Sequence, residues 1–152
     1  MATFQRGQVL VGLQRSYRLI ELAHPRTTTV WIASPENEQS GIFFTPNYLI
    51  PPENVVVKTA SQVLLHNEMR YLTALRGHPR IRQMIDSIES PPSIVLEHAE
   101  EDLRSLSIRR KLDRPEIKTI ALQLLEALSF AHSKNIVHTG QDESKLPNAL
   151  NR

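Results

Sequence analysis

A lysine and a glutamate in the first half of the chain are the residues whose types and spacing most clearly suggest chemistry. Lys58 ends a short β-branched run that begins at Val55, and Glu68 follows in a segment with helical periodicity. An ammonium group in such a place can hold the phosphates of a nucleotide, and the carboxylate can hold the ammonium. From these two residues alone, the simpler interpretation is that both side chains face water, and a phosphate anchor is the alternative that the other segments of the chain must support.

A strand would position the lysine. Side chains alternate along a strand, so Val56 and Lys58 would lie on the same face. Runs of β-branched and aromatic residues, bounded by turn residues, predict five strands. These are Ser16 to Leu22, Thr27 to Ala33, Val55 to Lys58, Gln83 to Ile88 and Ser93 to Glu97. Alternating apolar residues from Val9 to Leu13 predict one more strand. The proline-containing stretch from Pro35 to Asn54 predicts a long loop.

The glutamate needs a helix, which apolar residues at three- and four-residue spacing predict over Ser61 to Arg76. Two more helices are predicted, from Glu101 to Arg110 and from Pro115 to Ser133, and Asp113 and Glu116 can form a capping box at the second. One face of that longer helix is apolar through Ile117, Ile120, Ala121, Leu124, Leu128 and Ala131. A mostly antiparallel sheet with one helix, followed by a helical segment, makes the fold α+β.

The order of these segments resembles the first half of a eukaryotic protein kinase domain. Besides Lys58 and Glu68, the resemblance is carried by Arg76 to Ile81, Ile94 to His98, Glu101 to Leu103, Leu124 to Leu128, Ala131 with His132, and Ile136 to His138. These segments are similar to the link after the regulatory helix, the strand into the hinge, the next helix, and the long helix with its exit into the catalytic loop. The resemblance covers roughly residues 16 to 139. The sequence from Ile136 to Thr139 looks most similar to that of a group of fungal kinase-like proteins.

The resemblance implies a kinase-like N-terminal lobe over residues 1–98, the start of a C-terminal lobe over 99–139, and a disordered tail outside the family over 140–152. It also implies a site that binds ATP weakly. The residues of that site would be Lys58, Glu68, Val56, Leu96, Glu97 and Ala99. Leu96 would occupy the gatekeeper position, and the Glu97 carbonyl and the Ala99 backbone would meet the adenine edge. Simple core packing would account equally well for Val56 and Leu96.

Two departures from the family lie in the expected nucleotide site. The glycine-rich loop would fall on Ala23, Pro25 and Thr28, none of which is glycine. Glycines let that loop bring backbone amides close to phosphates, and Pro25 removes one amide altogether. Val56 stands where the family has a small alanine above the adenine, so we expect a narrower pocket.

The third departure concerns catalysis. His138 marks the start of the expected catalytic loop, but Thr139 and Gly140 follow where the family has arginine and aspartate. Lys145 stands at the position of the asparagine, and the metal-binding Asp-Phe-Gly is missing. We therefore predict a polypeptide truncated within the catalytic loop, with no catalytic residue and no metal ligand, so Mg²⁺ would bind only in a complete relative.

Three functions remain open at this point. The first is an inactive, kinase-like polypeptide from a family whose activity is ATP-dependent phosphorylation of protein Ser or Thr. The second is a pseudokinase-type binding or regulatory module with weak or no nucleotide binding, and a protein partner on exposed helix faces. The third is an unrelated small α+β domain.

Composition excludes several other classes. The 152 residues suffice for one domain with a core, and a net charge of +2 is too small to indicate nucleic acid. The absence of cysteine excludes a disulfide scaffold, and the six histidines are too scattered for a local metal motif. No apolar run predicts a membrane span or a secretory signal, which favours cytoplasm or nucleus over secretion and leaves mitochondria open.

Overall fold

The β-branched runs come together in one antiparallel sheet with the strand order β1-β2-β3-β4-β6-β5. The computed structural model describes residues 4–24, 27–36 and 53–137. Its strands are β1 (Val9–Val11), β2 (Ser16–Leu22), β3 (Val30–Glu36), β4 (Val55–Thr59), β5 (Met84–Ile88) and β6 (Ser93–Glu97). Its helices are α1 (Gln62–Ala74), α2 (Leu103–Arg109) and α3 (Arg114–Ser133). The architecture is an antiparallel sheet with one helix inserted between β4 and β5, followed by two helices, as the α+β prediction requires.

The predicted strands match the observed ones closely, except at β3. That strand begins at Val30 rather than Thr27 and continues through Pro35, which the sequence placed in a loop. A proline has no N–H to donate to a neighbouring strand, so it fits into a sheet only where no neighbour needs that hydrogen bond. The pairing of β3 with β4 stops at Ala33, and Pro35 lies where β3 is paired with β2 alone.

The alternation near the start produces β1, although its buried side chain is not one of the alternating set. Leu10 is buried, whereas Val9, Val11 and Leu13 are exposed. Apolar alternation thus predicted the strand, while the alternating residues themselves lie on its exposed side. The reason is that β1 pairs only with β2 and turns just Leu10 toward the core.

Two apolar clusters occupy the opposite faces of the sheet. The larger one contains Phe4, Leu10, Tyr17, Leu19, Trp31, Ala33, Val55, Val57, Ile88 and Val95. The second lies on the α1 side and contains Val56, Leu65, Ile94 and Leu96. β4 runs through both, since Val55 and Val57 face one cluster while Val56 faces the other.

The two edges of the sheet meet at Asp86, so the sheet curls. Asp86 lies on edge strand β5, and its Oδ2 accepts hydrogen bonds from the backbone N–H groups of Gln14 (3.0 Å) and Arg15 (3.3 Å), in the turn between β1 and β2. The Tyr17 hydroxyl also donates to Oδ2 at 2.9 Å. Asp86 is 4% exposed, which makes it a buried carboxylate whose partners come from the opposite edge.

The long helix α3 begins with the capping box that the sequence predicts and buries little of its surface. Asp113 accepts a hydrogen bond from the Glu116 N–H at 2.8 Å, and Glu116 accepts one from the Asp113 N–H at 3.0 Å, which completes the capping box. Along the helix, Ala131 is the buried residue. Phe130 stacks on His78 with ring centroids 4.6 Å apart, which attaches the end of α3 to the segment that follows α1.

Candidate nucleotide site

Lys58 and Glu68 form a two-pronged ion pair. The Lys58 Nζ donates to Oε1 of Glu68 at 2.9 Å and to Oε2 at 2.8 Å. The two side chains are 36% and 29% exposed, so water and small ligands can reach them. An ammonium carries three N–H donors, of which the carboxylate accepts two. The pair can therefore present an oriented cation to an anionic ligand.

Regular secondary structure determines where each partner lies. Lys58 is paired on both sides, with Val30 of β3 and Ile94 of β6, so its backbone is fixed within the sheet. On α1, Leu65 is buried and Leu72 is partly buried against the same cluster. Glu68 lies three residues after the first and four before the second, which places all three on one helix face. The structure thus brings together the two residues that the sequence singled out.

Val56 and Leu96 lie directly opposite each other on β4 and β6. They are 5% and 4% exposed and belong to the α1-side cluster with Leu65 and Ile94. Their side chains therefore serve as core packing, which the sequence already allowed. Contact of these two residues with adenine stays a prediction.

The expected adenine edge is engaged by a residue that sequence reasoning missed. The Glu97 carbonyl accepts a hydrogen bond from Arg82 Nε at 2.6 Å. The Glu97 carboxylate accepts one from the Gln83 N–H at 2.8 Å. Ala99 is exposed beyond the end of β6. No pattern in the sequence singles out Arg82, because its partner is a backbone carbonyl.

The turn between β2 and β3 stands where the family has its glycine-rich loop, and three of its described amides form hydrogen bonds within the turn. Ala23 N–H donates to the Val30 carbonyl at 2.9 Å, and Thr27 N–H donates to the His24 carbonyl at 3.1 Å. Thr29 N–H donates to the Thr27 hydroxyl at 3.2 Å. Pro25 lies outside the described residues. These three amides are engaged within the turn, so the expected departure from a phosphate-cradling loop has a structural basis here.

The predictions about the catalytic loop fall outside the described residues, which end at Val137. They concern His138, Thr139, Gly140 and the tail at 140–152. The described chain leaves α3 through Asn135, whose φ is 59°, and the Ile136 N–H donates to the Ala131 carbonyl at 3.0 Å. The structure therefore shows how the helix ends but not the loop that follows.

The described ranges lack the features of a metal site and of a membrane-spanning helix. No group of three or more histidine or acidic side chains there could hold a metal ion. No described helix is long and apolar enough to cross a membrane.

Comparison with known proteins points to the same family as the geometry. Residues 52–140 match the family model of the protein kinase domain. This match includes β4, α1, the hinge strand β6 and the whole of α3. It begins after β3, yet β1 to β3 complete the same sheet.

Several curated relatives are serine/threonine kinases or kinase subunits. The chain is 37% identical over 83 residues to serine/threonine-protein kinase 36 of Pongo abelii, covering 51% of this chain and 6% of that protein. It is 39% identical over 75 residues to the phosphorylase b kinase gamma catalytic chain, liver/testis isoform, of Mus musculus, covering 47% and 18%. It is 30% identical over 102 residues to serine/threonine-protein kinase US3 of Human herpesvirus 1 (strain 17), covering 64% and 21%.

The chain thus spans less than a quarter of the length of each of these relatives. The family model, in contrast, matches more than half of the chain, and the sheet, α1 and the ion pair are arranged in the family's order. On these grounds the chain belongs to the protein kinase domain family.

Proposed function

We propose that this chain holds the phosphates of a nucleotide through Lys58, as part of a family whose activity is ATP-dependent phosphorylation of protein Ser or Thr. The observation that carries the proposal is the ion pair with Glu68, with Nζ–O distances of 2.9 and 2.8 Å. An ammonium held by both oxygens of a carboxylate is already oriented when the ligand arrives, so less side-chain freedom is lost on binding.

The residues support phosphate binding better than recognition of adenine. Lys58 is accessible and charged, whereas Val56 and Leu96 are packed in the core. Magnesium, when bound with ATP in a protein kinase, neutralises phosphate charge during transfer. We assign no ligand for that ion among the residues of this chain. Weak binding of ATP, led by its phosphates, is the form of the proposal that these contacts favour.

We further propose that these 152 residues transfer no phosphoryl group by themselves. Gly140 follows His138 and Thr139 where the family pattern has an aspartate, and glycine has no carboxylate to accept a proton from a substrate hydroxyl. The boundary within the catalytic loop and the similarity to fungal kinase-like proteins belong to this proposal as predictions.

Thermal unfolding with ATP and Mg²⁺, or with tripolyphosphate, tests the phosphate site. A ligand that binds the native state stabilises it by about 1.4 kcal/mol at ten times its Kd, so the Tm of the wild-type chain should rise with ligand concentration. Lys58→Met should abolish the rise. Lys118→Met, which removes an exposed lysine on α3, should leave it unchanged. The absence of any shift at millimolar concentrations of both ligands would rule out the site.

A transfer assay tests the second part of the proposal. Purified chain, ATP, Mg²⁺ and a generic Ser/Thr substrate protein should give no more phosphorylated product than the Lys58→Met variant. Turnover by the wild-type chain that disappears in that variant would contradict the proposed inactivity.

A binding module remains a second candidate because α3 displays apolar side chains. Ile117, Leu124 and Leu125 are 53%, 56% and 62% exposed. Contiguous exposed apolar surface is typical of contact sites for other proteins. The wild-type chain should bind a hydrophobic dye, and the double change Leu124→Lys and Leu125→Lys should reduce dye fluorescence without loss of the fold. Wild-type protein that binds no dye would remove the support for this candidate.

A further inference from the structure

Arg82 lies against the backbone atom that a kinase-like site would offer to adenine. Its Nε donates to the Glu97 carbonyl across 2.6 Å. By the resemblance, that carbonyl accepts a hydrogen bond from the adenine edge. A guanidinium carries only donors and no acceptor. An adenine amino group brought to the same carbonyl would therefore meet another donor, with a full positive charge on it.

The Arg82 backbone is held in place by the neighbouring residue. The Gln83 N–H donates to the Glu97 carboxylate at 2.8 Å, and the Glu97 N–H donates to the Gln83 carbonyl at 3.1 Å. The Gln83 side-chain amide also accepts from the Gly77 N–H at 2.8 Å and donates to the His78 carbonyl at 3.2 Å. Gln83 thus ties the segment after α1 to the hinge, which keeps the Arg82 backbone beside Glu97.

The pKa of Arg82 depends on its desolvation and on two nearby carboxylates. Partial desolvation lowers the pKa of Arg82, while the carboxylates of Glu97 and Glu68 raise it. Arginine stays protonated in proteins at neutral pH, so a cation lies beside the Glu97 carbonyl. The contribution of Glu68 agrees with the hydrogen bond from Arg82 Nε to the Glu97 carbonyl, which holds the guanidinium at the end of β6.

We propose that Arg82 is a specificity-determining residue that keeps adenine from the Glu97 carbonyl, so that the native site selects polyphosphate with little recognition of the base. The inference rests on the proposed function of Lys58 as a phosphate anchor. Arg82 acts on the adenine edge and Lys58 on the phosphates, so the two roles separate experimentally through ligands that carry only one of these groups.

Titration calorimetry with adenosine, ATP and tripolyphosphate tests the proposal on the full chain. Arg82→Met keeps the apolar length of the side chain and removes its donors. ATP and adenosine should bind this variant about tenfold more tightly than wild type, the gain expected when one hydrogen bond to the hinge becomes available. Tripolyphosphate should bind within about threefold of wild type, because it makes no contact with the hinge. Arg80→Met, which removes an exposed arginine two residues away, should change none of the three.

The outcomes distinguish this inference from the proposed function of Lys58 on which it rests. Lys58-dependent binding of tripolyphosphate in wild type, without tighter adenosine or ATP binding in Arg82→Met, would overturn the inference alone. Absence of binding by every ligand to both proteins would overturn both. Weaker ATP and tripolyphosphate binding in Arg82→Met would show that Arg82 holds phosphate instead, which also overturns the inference. Arg82→Gln, checked for a cooperative unfolding transition, should reproduce the adenosine result if the methionine variant fails to fold.

Discussion

Glu68 and Asp86 are carboxylates in very different surroundings. Glu68 is 29% exposed in its side chain and accepts two hydrogen bonds from the ammonium of Lys58. Asp86 is 4% exposed and accepts four hydrogen bonds, from the N–H groups of Gln14, Arg15 and Ser87 and the hydroxyl of Tyr17. Both satisfy their lone pairs, but only the first remains accessible to a ligand.

This difference distinguishes a carboxylate that can take part in ligand binding, Glu68, from one that stabilises the fold, Asp86. An exposed ion pair contributes about 0–1 kcal/mol to stability, because water competes for both charges. A buried carboxylate that loses its donors, or buried donors that lose their carboxylate, cost about 1–3 kcal/mol for each unsatisfied group. We therefore expect Asp86 to govern stability and Glu68 to govern ligand binding, and the following experiments test that division.

The largest expected effect is that of Asp86→Ala. The change leaves the buried Tyr17 hydroxyl and the amides of the turn between β1 and β2 without their acceptor, and it detaches one edge of the sheet from the other. We expect the free energy of unfolding to fall by about 3 kcal/mol. Urea unfolding followed by circular dichroism measures it. The control is Glu89→Ala, an exposed acid in the hairpin after β5, and a loss equal to that of the control would contradict the support role.

Gly12→Ala should produce the next largest effect. A Cβ at this position would overlap Oδ2 of Asp86 and lie 2.9 Å from the Arg15 carbonyl oxygen, which is backbone and cannot swing away. Overpacking of this kind costs about 1–3 kcal/mol. A third clash is with Cε2 of Tyr17, also at 2.9 Å. Because one of the three clashes is with Asp86, the same substitution should cost less in an Asp86→Ala background. Equal costs in the two backgrounds would show that the turn does not press on Asp86.

The contrast between the two carboxylates also shows what the sequence could reveal. The faces that Lys58 and Glu68 occupy follow from local pattern, because a strand of period two and a helix of period 3.6 determine them, and the order of the surrounding segments singled out the pair. The observed bounds of β2 and β6 equal the predicted ones for the same reason. Features that depend on one element with its own periodicity were predictable.

Asp86 and Arg82 could not be found in this way. The partners of Asp86 lie about seventy residues earlier in the chain, at Gln14, Arg15 and Tyr17, and meet it only because the sheet curls until its edges touch. Arg82 engages a backbone carbonyl, which carries no signal in the sequence. The hydrogen bonding of amides within the turn between β2 and β3 was indicated only by the lack of glycine. Contacts between segments that are distant in the sequence depend on the tertiary fold, which the local periodicity of the sequence does not specify.

Tyr17→Phe removes one of the four donors to Asp86 and should cost about 1 kcal/mol at pH 8. Burial, and then the charge of Asp86, raise the pKa of the Tyr17 phenol. The folded chain therefore keeps this proton above about pH 10, where the unfolded chain loses it, so stability falls as the pH rises. The fall is at most about 1.4 kcal/mol per pH unit from this group. Urea unfolding between pH 8 and 11 should show a shallower decline for Tyr17→Phe than for wild type. The exposed control Tyr71→Phe should decline like wild type, and identical slopes for all three proteins would contradict the burial of the phenol.

Glu68→Gln should have the smallest effect on stability, below about 1 kcal/mol, because its ion pair with Lys58 is partly exposed. Its effect on ligand binding should be much larger, since a neutral amide no longer orients the ammonium toward a phosphate. Urea unfolding measures the first quantity, and the tripolyphosphate-induced rise in Tm measures the second. Asp86→Asn is the matched amide control, and we expect the opposite pattern from it: a clear loss of stability, with a full ligand-induced rise in the protein that remains folded. If Glu68→Gln destabilised the chain as much as Asp86→Asn and left the ligand response intact, the pair would be a support like Asp86, and the phosphate site would have to lie elsewhere.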